Sequence, residues 1–572
     1  MLSNSYNFKR EYATRSFNTV YASFDIWKGI KFASTFSYDF VMNKSRAWKD
    51  PRTSDGDDDN GRFSKDYNDI TNMTWSNILT YQTKIKKKHN LDLLAGYEIN
   101  SKESDGLGTT ISNFARWDKP EVNNGVVYQS MGGSNSTTRI VSYITRANYD
   151  YDNKYYLGAS WRTDGSSRLA RENRWGNFWS LSGAWRVSSE SFMKPLQNWL
   201  SDLKLRVSYG VNGTLPSSYY GYMGLSSLTS NYNDNPGIKQ SQLENKELTW
   251  ETNYNFNSGI DLGFFDNRLN VTFEYYVRTT KNLLYSRPLS LATGFSSYLA
   301  NIGKLQNKGY ELEIRSTNIE TKDFRWSTSL NLGHNANKIL KLDGDLKQVT
   351  SGTSIHKVGL PYSTYYMIEF AGIDPVDGEP MFYKNTTDEN GNLNKETTKD
   401  PRSAEKVILQ CADPTITGGL GNSISYKWFD LNFNVNFSFG AWNYDGAAGK
   451  LEHGGDGTLN IPIYYRKRWQ KEGDETSIER FVVGRSISMT DYATTRRLYS
   501  GDYVRLKNLT FGFTLPKTWT RKVGIDNIRL YASGNNLLTW AAYDYIDPES
   551  GSSPSWDTPP MRTYTFGLEV KF

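Results

Sequence analysis

Cysteine is nearly missing from this chain: Cys411 stands alone in 572 residues, which excludes an internal disulfide and a thiolate metal cluster. Histidine is almost as scarce. His89, His334, His356 and His453 lie far apart and offer no partner for a Ser/His/Asp-type constellation, so no enzyme, cofactor or resident metal is expected. No run approaches the roughly 18 consecutive apolar residues that a spanning helix needs, which excludes a helical membrane protein. The opening MLSNSYNFKREY lacks the apolar core of an export signal. Basic and acidic residues, 67 against 61, are interspersed rather than blocked, so the formal charge of +6 leaves no nucleic-acid footprint.

Aromatic residues, by contrast, are abundant. They make up 15% of a chain whose hydrophobic content is only 37%, below the globular average of roughly 45–50%. The aromatics fall into strict alternation with polar residues. In FDLNFNVNFSFG, Leu431, Phe433, Val435, Phe437 and Phe439 alternate with Asn432, Asn434, Asn436, Ser438 and Gly440; in RLNVTFEYYV, Leu269, Val271, Phe273, Tyr275 and Val277 alternate with Asn270, Thr272, Glu274 and Tyr276. Period two gives one apolar and one polar face. The same signal covers 18–27, 30–42, 70–85, 90–103, 138–150, 154–163, 177–188, 202–211, 248–264, 308–319, 324–340, 415–427, 503–515, 526–540 and the closing RTYTFGLEVKF (562–572). About seventeen strands are expected, with no helical stretch of comparable strength, so the fold class is all-β.

The connections alternate in length. Tight ones are expected at Lys28-Gly29, KKKH (86–89), Asp152-Asn153, Asp266-Asn267, TKD (321–323) and near Trp428, with somewhat longer ones at 190–201 and 516–525. Long ones fill 43–67, 105–136, 164–176, 212–246, 286–306, 342–413, 446–500 and 541–561. A soluble Greek-key sandwich has no reason to sort its loops in this way. An antiparallel up-and-down transmembrane β-barrel does, with short periplasmic turns and long extracellular loops, lipid on the apolar parity and water on the polar one. Trp161, Trp250, Trp326, Trp428 and Trp540 near strand ends are candidate interfacial girdle residues, with ordinary cross-strand packing as the alternative. An odd strand count is unusual for a closed bacterial barrel. We therefore expect 1–15 to be a truncated segment and 16–572 to be a partial barrel, with an N-terminal portion outside the chain.

Several segments carry a family resemblance. YDYDNKYYLGASWRTDGSSRL (149–169), WGNFWSLSGAWRVSSESFMK (175–194), LSDLKLRVSYGVNGT (200–214), NIGKLQNKGYELEI (301–314), GIDPVDGEPMFY (372–383), DPTITGGLGNSISYKWFDLNFNVNFSFG (413–440), GDYVRLKNLTFGFTLP (501–516), IRLYASGNNLLTW (528–540) and YDYIDPESG (543–551) resemble, in order and spacing, the barrel of SusC/RagA-like TonB-dependent outer-membrane transporters. The resemblance runs from about residue 15 to the end. It implies about 17 of 22 strands, with the plug and signal peptide outside the chain, a cell outer-membrane location and uptake of oligosaccharides. It implies as partners a SusD-like surface lipoprotein, outer-membrane lipid, and a TonB complex reached through the N-terminal region. A peptide importer of the same architecture, a plugless passive pore and a truncated remnant are the alternatives; a soluble glycan-binding β-protein fits the loop asymmetry poorly. The terminal Phe572 resembles the signal read by the barrel-assembly machinery, and is also placed to serve as a girdle residue.

Candidate ligand contacts follow from chemistry, because sugars present apolar ring faces and hydroxyls to aromatic platforms. Tyr219, Tyr220 and Tyr222 in PSSYYGYMG, and Trp442 and Tyr444 in GAWNYDG, are the candidates, with loop self-packing as the bland alternative. In SDGDDDNG, Asp55, Asp57 and Asp59 stand at positions one, three and five of an EF-hand-like calcium frame, with Asp66 at twelve. Asn60 replaces the glycine of that frame and no flanking helices are expected, so a solvated loop is favoured over a calcium site. The stretch 459–476 reads as a short amphipathic helix anchored by Trp469.

Overall fold

The computed structural model describes residues 3–228, 231–233, 235–342, 344, 346–388, 392–455, 460–484, 492–543, 545–550 and 559–572. Seventeen strands belong to a single antiparallel sheet, as the alternating pattern requires. They are β1 (Phe8–Trp27), β2 (Ile30–Lys49), β3 (Arg62–Ile85), β4 (His89–Phe114), β5 (Gly125–Tyr151), β6 (Tyr155–Ser166), β7 (Trp175–Arg186), β8 (Leu200–Thr214) and β9 (Glu251–Phe264). They continue as β10 (Leu269–Lys281), β11 (Lys304–Glu320), β12 (Phe324–Lys341), β13 (Ile416–Tyr426), β14 (Phe429–Phe439), β15 (Tyr503–Thr514), β16 (Asn527–Ala541) and β17 (Thr563–Lys571).

Two compact units divide the chain. The first holds residues 1–185, 208–255 and 280–302; the second holds 186–207, 256–279 and 303–572. In the first unit β1 to β7 pair each with the next; in the second, β11 to β17 do the same. Meanders of this kind arise where tight turns join neighbours. The turn at Lys28-Gly29 shows why one residue is required: Gly29 has φ +78°, and a Cβ there would lie 2.2 Å from the carbonyl oxygen of Gln82. Only glycine fits.

Strand boundaries differ from the sequence reading at the long-connection end of the first unit. Segments 43–67 and 105–136, expected as loops, are largely strand: β2, β3, β4 and β5 run 20, 24, 26 and 27 residues. Polar runs such as KESDGLGTT alternate too weakly to signal a strand, but the ladder, once begun on the apolar segment, continues to satisfy backbone groups. In the second unit, 342–413 folds into small sheets of its own, including Ser354–Lys357, Thr364–Ile368 and Lys406–Cys411. The amphipathic helix expected at 459–476 is corrected: among its described residues only Ile463–Lys467 is helical, a single 3₁₀ turn, and residue 459 lies outside the described residues. Pro462 and the charged run around Trp469 leave too short an apolar stripe for more.

Hydrophobic cores of the first unit lie at the long-connection ends of its strands, with Leu169, Leu248 and Trp250 contributed by the connections. Leu169, Phe178, Val211, Leu248 and Trp250 form one buried cluster; Trp48, Phe63, Ile111 and Phe114 form another. Trp250, proposed for an interfacial girdle, is 7% exposed and donates from Nε1 to the Arg174 carbonyl, so its role is core packing. Trp161, Trp326, Trp428 and Trp540 are all exposed by 36% or more, as girdle residues must be.

The apolar parity of the strands is uncovered. In β17, Tyr564, Phe566 and Leu568 are 67%, 83% and 63% exposed. In the second unit the register aligns Ile314, Leu330, Leu420, Val435, Leu506 and Leu538 in one row across six strands. A soluble protein rarely exposes a contiguous apolar patch above a few hundred Å². This face belongs in lipid.

Candidate functional site

The opposite parity of the second unit forms a polar wall. Register places Arg315, Ser329, Gly421, Asn434, Asn508, Asn535 and Thr563 in one row, and Thr317, Ser327, Ser423, Asn432, Thr510, Ser533 and Thr565 in the next. Side chains bridge from strand to strand. Asn508 Nδ2 donates to Asn535 Oδ1 at 2.9 Å, Asn535 Nδ2 donates to Thr563 Oγ1 at 3.1 Å, and the Thr510 and Ser533 hydroxyls are 2.9 Å apart. A β-bulge at Lys507 maintains this wall. It shifts the apolar parity from Val504 and Leu506 to Leu509, Phe511 and Phe513, so Asn508 and Thr510 stay on the polar side.

Two cavities open on this wall. The larger, about 1060 Å³, is lined by Glu274, Glu311, Glu313, Asn331, Asn436 and Tyr503, among others. The smaller, about 330 Å³, is lined by Asn267, Arg268, Arg315, Ser327, Ser423 and Asn432, among others. Several charges at the wall are paired: Arg206 donates to Asp261 at 2.8 Å and to Glu274 at 2.7 Å, and Arg529 donates to Asp430 at 2.7 Å. Arg505, only 3% exposed, reaches Asp547 at 2.6 Å and Glu549 at 2.7 Å, while Lys507 reaches the same Glu549 at 2.6 Å. These contacts pin the segment around 547–549 onto β15. The sequence reading found the polar parity of Glu274, Asn432, Asn434 and Asn436, but not their neighbours across the wall; only register aligns them into rows.

The aromatic candidates are divided between the units. In the first, Arg168 lies over the Tyr219 ring at 4.4 Å, Tyr220 OH accepts from the Thr137 amide at 3.0 Å, and Tyr222 packs on the Leu169–Trp250 core. In the second, Trp442–Tyr444 pairs with Leu498–Ser500, with Asn443 buried between two half-buried aromatics on the other face. Next to that hairpin, Tyr499 and Tyr543 stack with centroids 3.6 Å apart, and Tyr543 OH donates to Asp445. Burial pushes the Tyr464, Tyr465 and Tyr543 hydroxyls well above the usual phenol range.

The acidic loop is tied to protein groups. Asp55 accepts from Asn7 at 3.0 Å, Asp59 pairs with Arg62 at 2.6 Å, and Asp66 sits in β3 opposite Ser45 and Gly108. Asn60 takes the left-handed conformation at φ +46°, which asparagine tolerates where the calcium frame has glycine. Among the described residues no group of three or more His, Cys, Asp or Glu side chains is placed to hold a metal. Phe572 follows β17 and is 89% exposed. Trp469 Nε1 donates to the Pro375 carbonyl at 3.0 Å, which anchors its loop to the 372–380 turn.

Comparison with known proteins decides what this architecture is. Residues 2–537 match the family described as TonB dependent receptor-like, beta-barrel. The chain belongs to this TonB-dependent receptor family. Its members are outer-membrane proteins, and the uncovered apolar parity agrees with that location. TonB-dependent receptor P3 of Formosa agariphila is 32% identical, over 96% of this chain and 57% of that protein. TonB-dependent receptor SusC of Bacteroides thetaiotaomicron is 30% identical, over 76% of this chain and 44% of its own length. A solved structure of the RagAB peptide transporter matches with a TM-score of 0.88 and 27% identity, over 99% of this chain and 63% of that one. The chain thus spans about three fifths of the receptor P3 and of the RagAB chain that it matches.

Proposed function

We propose that this receptor barrel serves TonB-dependent uptake of an oligosaccharide across the outer membrane, with a SusD-like surface lipoprotein as its extracellular partner. The observation that carries the cargo class is the polar wall of the second unit. Its two rows of amides and hydroxyls present many modest hydrogen-bonding groups rather than a single strong site, which suits a hydroxyl-rich chain that must bind and then move on. The 30% identity to SusC supports the same reading. A peptide cargo is the second reading, supported by the likeness to the RagAB peptide transporter and by Glu274, Glu311 and Glu313 around the larger cavity.

The test is uptake by cells carrying the full-length protein with its lipoprotein, fed fluorescent oligosaccharides or fluorescent peptides of matched length. Oligosaccharide accumulation that stops when the proton-motive force is dissipated, and that falls severalfold in an Asn434→Leu/Asn436→Leu variant, is expected. Peptide accumulation without oligosaccharide accumulation would transfer the assignment to the second reading. Uptake indifferent to the proton-motive force would mark a passive pore.

A further inference from the structure

The short-turn rim of the first unit has a composition that transport does not require. Segments 25–31, 84–90 and 150–154 carry Lys28, Lys31, Lys84, Lys86, Lys87, Lys88 and Lys154 against Asp25, Asp150 and Asp152. Backbone hydrogen bonds join the turns into one rim: the Gln82 amide donates to the Gly29 carbonyl at 2.8 Å, and the Asp152 amide to the Lys88 carbonyl at 2.7 Å. Lys86 and Lys87 take left-handed backbone at φ +49° and +61°, which fixes a tight turn with its side chains outward. Lys28, Lys84, Lys86, Lys87 and Lys88 are all exposed. Lys88 pairs with Asp152 at 3.4 Å; among the described residues Lys86 and Lys87 have no carboxylate partner.

An aromatic row lies immediately beside these lysines, toward the apolar face. His89 contacts Tyr151 with centroids 5.0 Å apart, Tyr151 stacks on Tyr155 at 6.4 Å, and Tyr155 stacks on Trp185 at 6.3 Å. Trp27 is 75% exposed and directly precedes Lys28. Apolar side chains, then amphipathic rings, then ammonium groups is the order in which a bilayer presents hydrocarbon, the interfacial zone and phosphate. The rings fix the depth, and the lysines then lie at headgroup level.

We propose that this rim binds anionic phospholipid headgroups of the leaflet at the short-turn end. The occupant follows from charge: the rim carries a net positive excess in the zone where anionic phosphodiesters lie, and a zwitterionic headgroup offers it little. The attraction is worth roughly a fivefold change in lipid association per lysine near the surface, and it is screened by salt. The inference is independent of which cargo the receptor carries.

The test is lipid selectivity of the full chain reconstituted in phosphatidylcholine vesicles, read by electron paramagnetic resonance from spin-labelled phosphatidylglycerol and spin-labelled phosphatidylcholine. The wild type should show a motionally restricted component for both lipids, with phosphatidylglycerol preferred severalfold at low salt and the preference weakened at 1 M salt. A Lys28→Gln/Lys86→Gln/Lys87→Gln/Lys88→Gln variant should lose most of the preference, and the corresponding Lys→Arg variant should retain it. A Lys239→Gln/Lys246→Gln variant, changed in a long connection, should behave as wild type. Heat-modifiable mobility on gels would confirm that each variant is folded. A restricted component with no phosphatidylglycerol preference in the wild type would overturn the proposal while leaving the lipid-facing wall intact; so would an undiminished preference in the quadruple Gln variant.

Discussion

Glu479 is fully buried, and its carboxylate accepts from Arg496 Nη1 at 2.5 Å and from Tyr465 OH at 2.9 Å. Arg496 is itself nearly buried, and Glu452 lies close by, accepting from Tyr464 OH at 2.5 Å and pairing with Arg497 at 3.2 Å. This network organises the long connection between β14 and β15. Removing the Glu479 carboxylate leaves the nearly buried Arg496 guanidinium with only the more distant Glu452, 3.7 Å away, which costs up to about 3–5 kcal/mol. Glu479→Ala should therefore open the connection around 460–484 to limited proteolysis, with heat-modifiable mobility of the sheet unchanged.

The lipid-facing and water-facing parities of β14 should respond oppositely to charge. Phe433→Arg places a cation in hydrocarbon and should cost about 2–4 kcal/mol near the bilayer midplane. Asn434→Arg turns the same charge onto the polar wall and should cost far less. Urea unfolding of the two variants in lipid vesicles checks the difference.

Most of the fold was readable from the chain because a half-wet strand writes its two faces directly into residue order. Leu431 to Phe439 alone specifies strand, face and environment. The bulge at Lys507 was not read, because 503–515 alternates well enough to pass for one uninterrupted strand despite the slip of apolar parity between Leu506 and Leu509. What else stayed hidden depends on pairing across long separations. Arg206 meets Asp261 and Glu274, and Arg505 meets Asp547 and Glu549, through register alone. Trp250 was misassigned because position near a strand end suits both a girdle and a core. The extensions of β4 and β5 were missed because small and polar residues there fall on both parities, so alternation fades while the hydrogen-bond ladder continues.

Gly29 is held by a steric limit that is open to direct test. Its positive φ and the nearby Gln82 carbonyl leave no room for a Cβ, so Gly29→Ala should destabilise the first hairpin by about 1–3 kcal/mol. A lower urea midpoint with an unchanged slope is the expected outcome.

His356, buried in the small sheet of the 342–413 connection, stacks on Tyr362 with centroids 4.2 Å apart. Burial disfavours its charged form and holds its pKa below the ordinary histidine value. The sign follows from linkage: the unfolded segment binds the proton first on acidification. The stabilisation is therefore complete above the ordinary histidine pKa and is lost as pH falls toward the depressed value. Nuclear magnetic resonance titration of the imidazole should give a midpoint below 6.5, and proteolytic resistance of 348–368 should decline below that pH in wild type but not in His356→Gln.

The central claim is that alternate residues of these strands face lipid and water, and site-directed spin labelling along β14 tests it most directly. With Cys411 replaced by serine, nitroxides are introduced one at a time from residue 431 to 438 in the full chain reconstituted in bilayers. The account predicts a period of two, with oxygen accessibility highest at 431, 433, 435 and 437 and aqueous nickel-complex accessibility highest at 432, 434, 436 and 438. Uniform accessibility to the nickel complex, or the opposite phase, would contradict it.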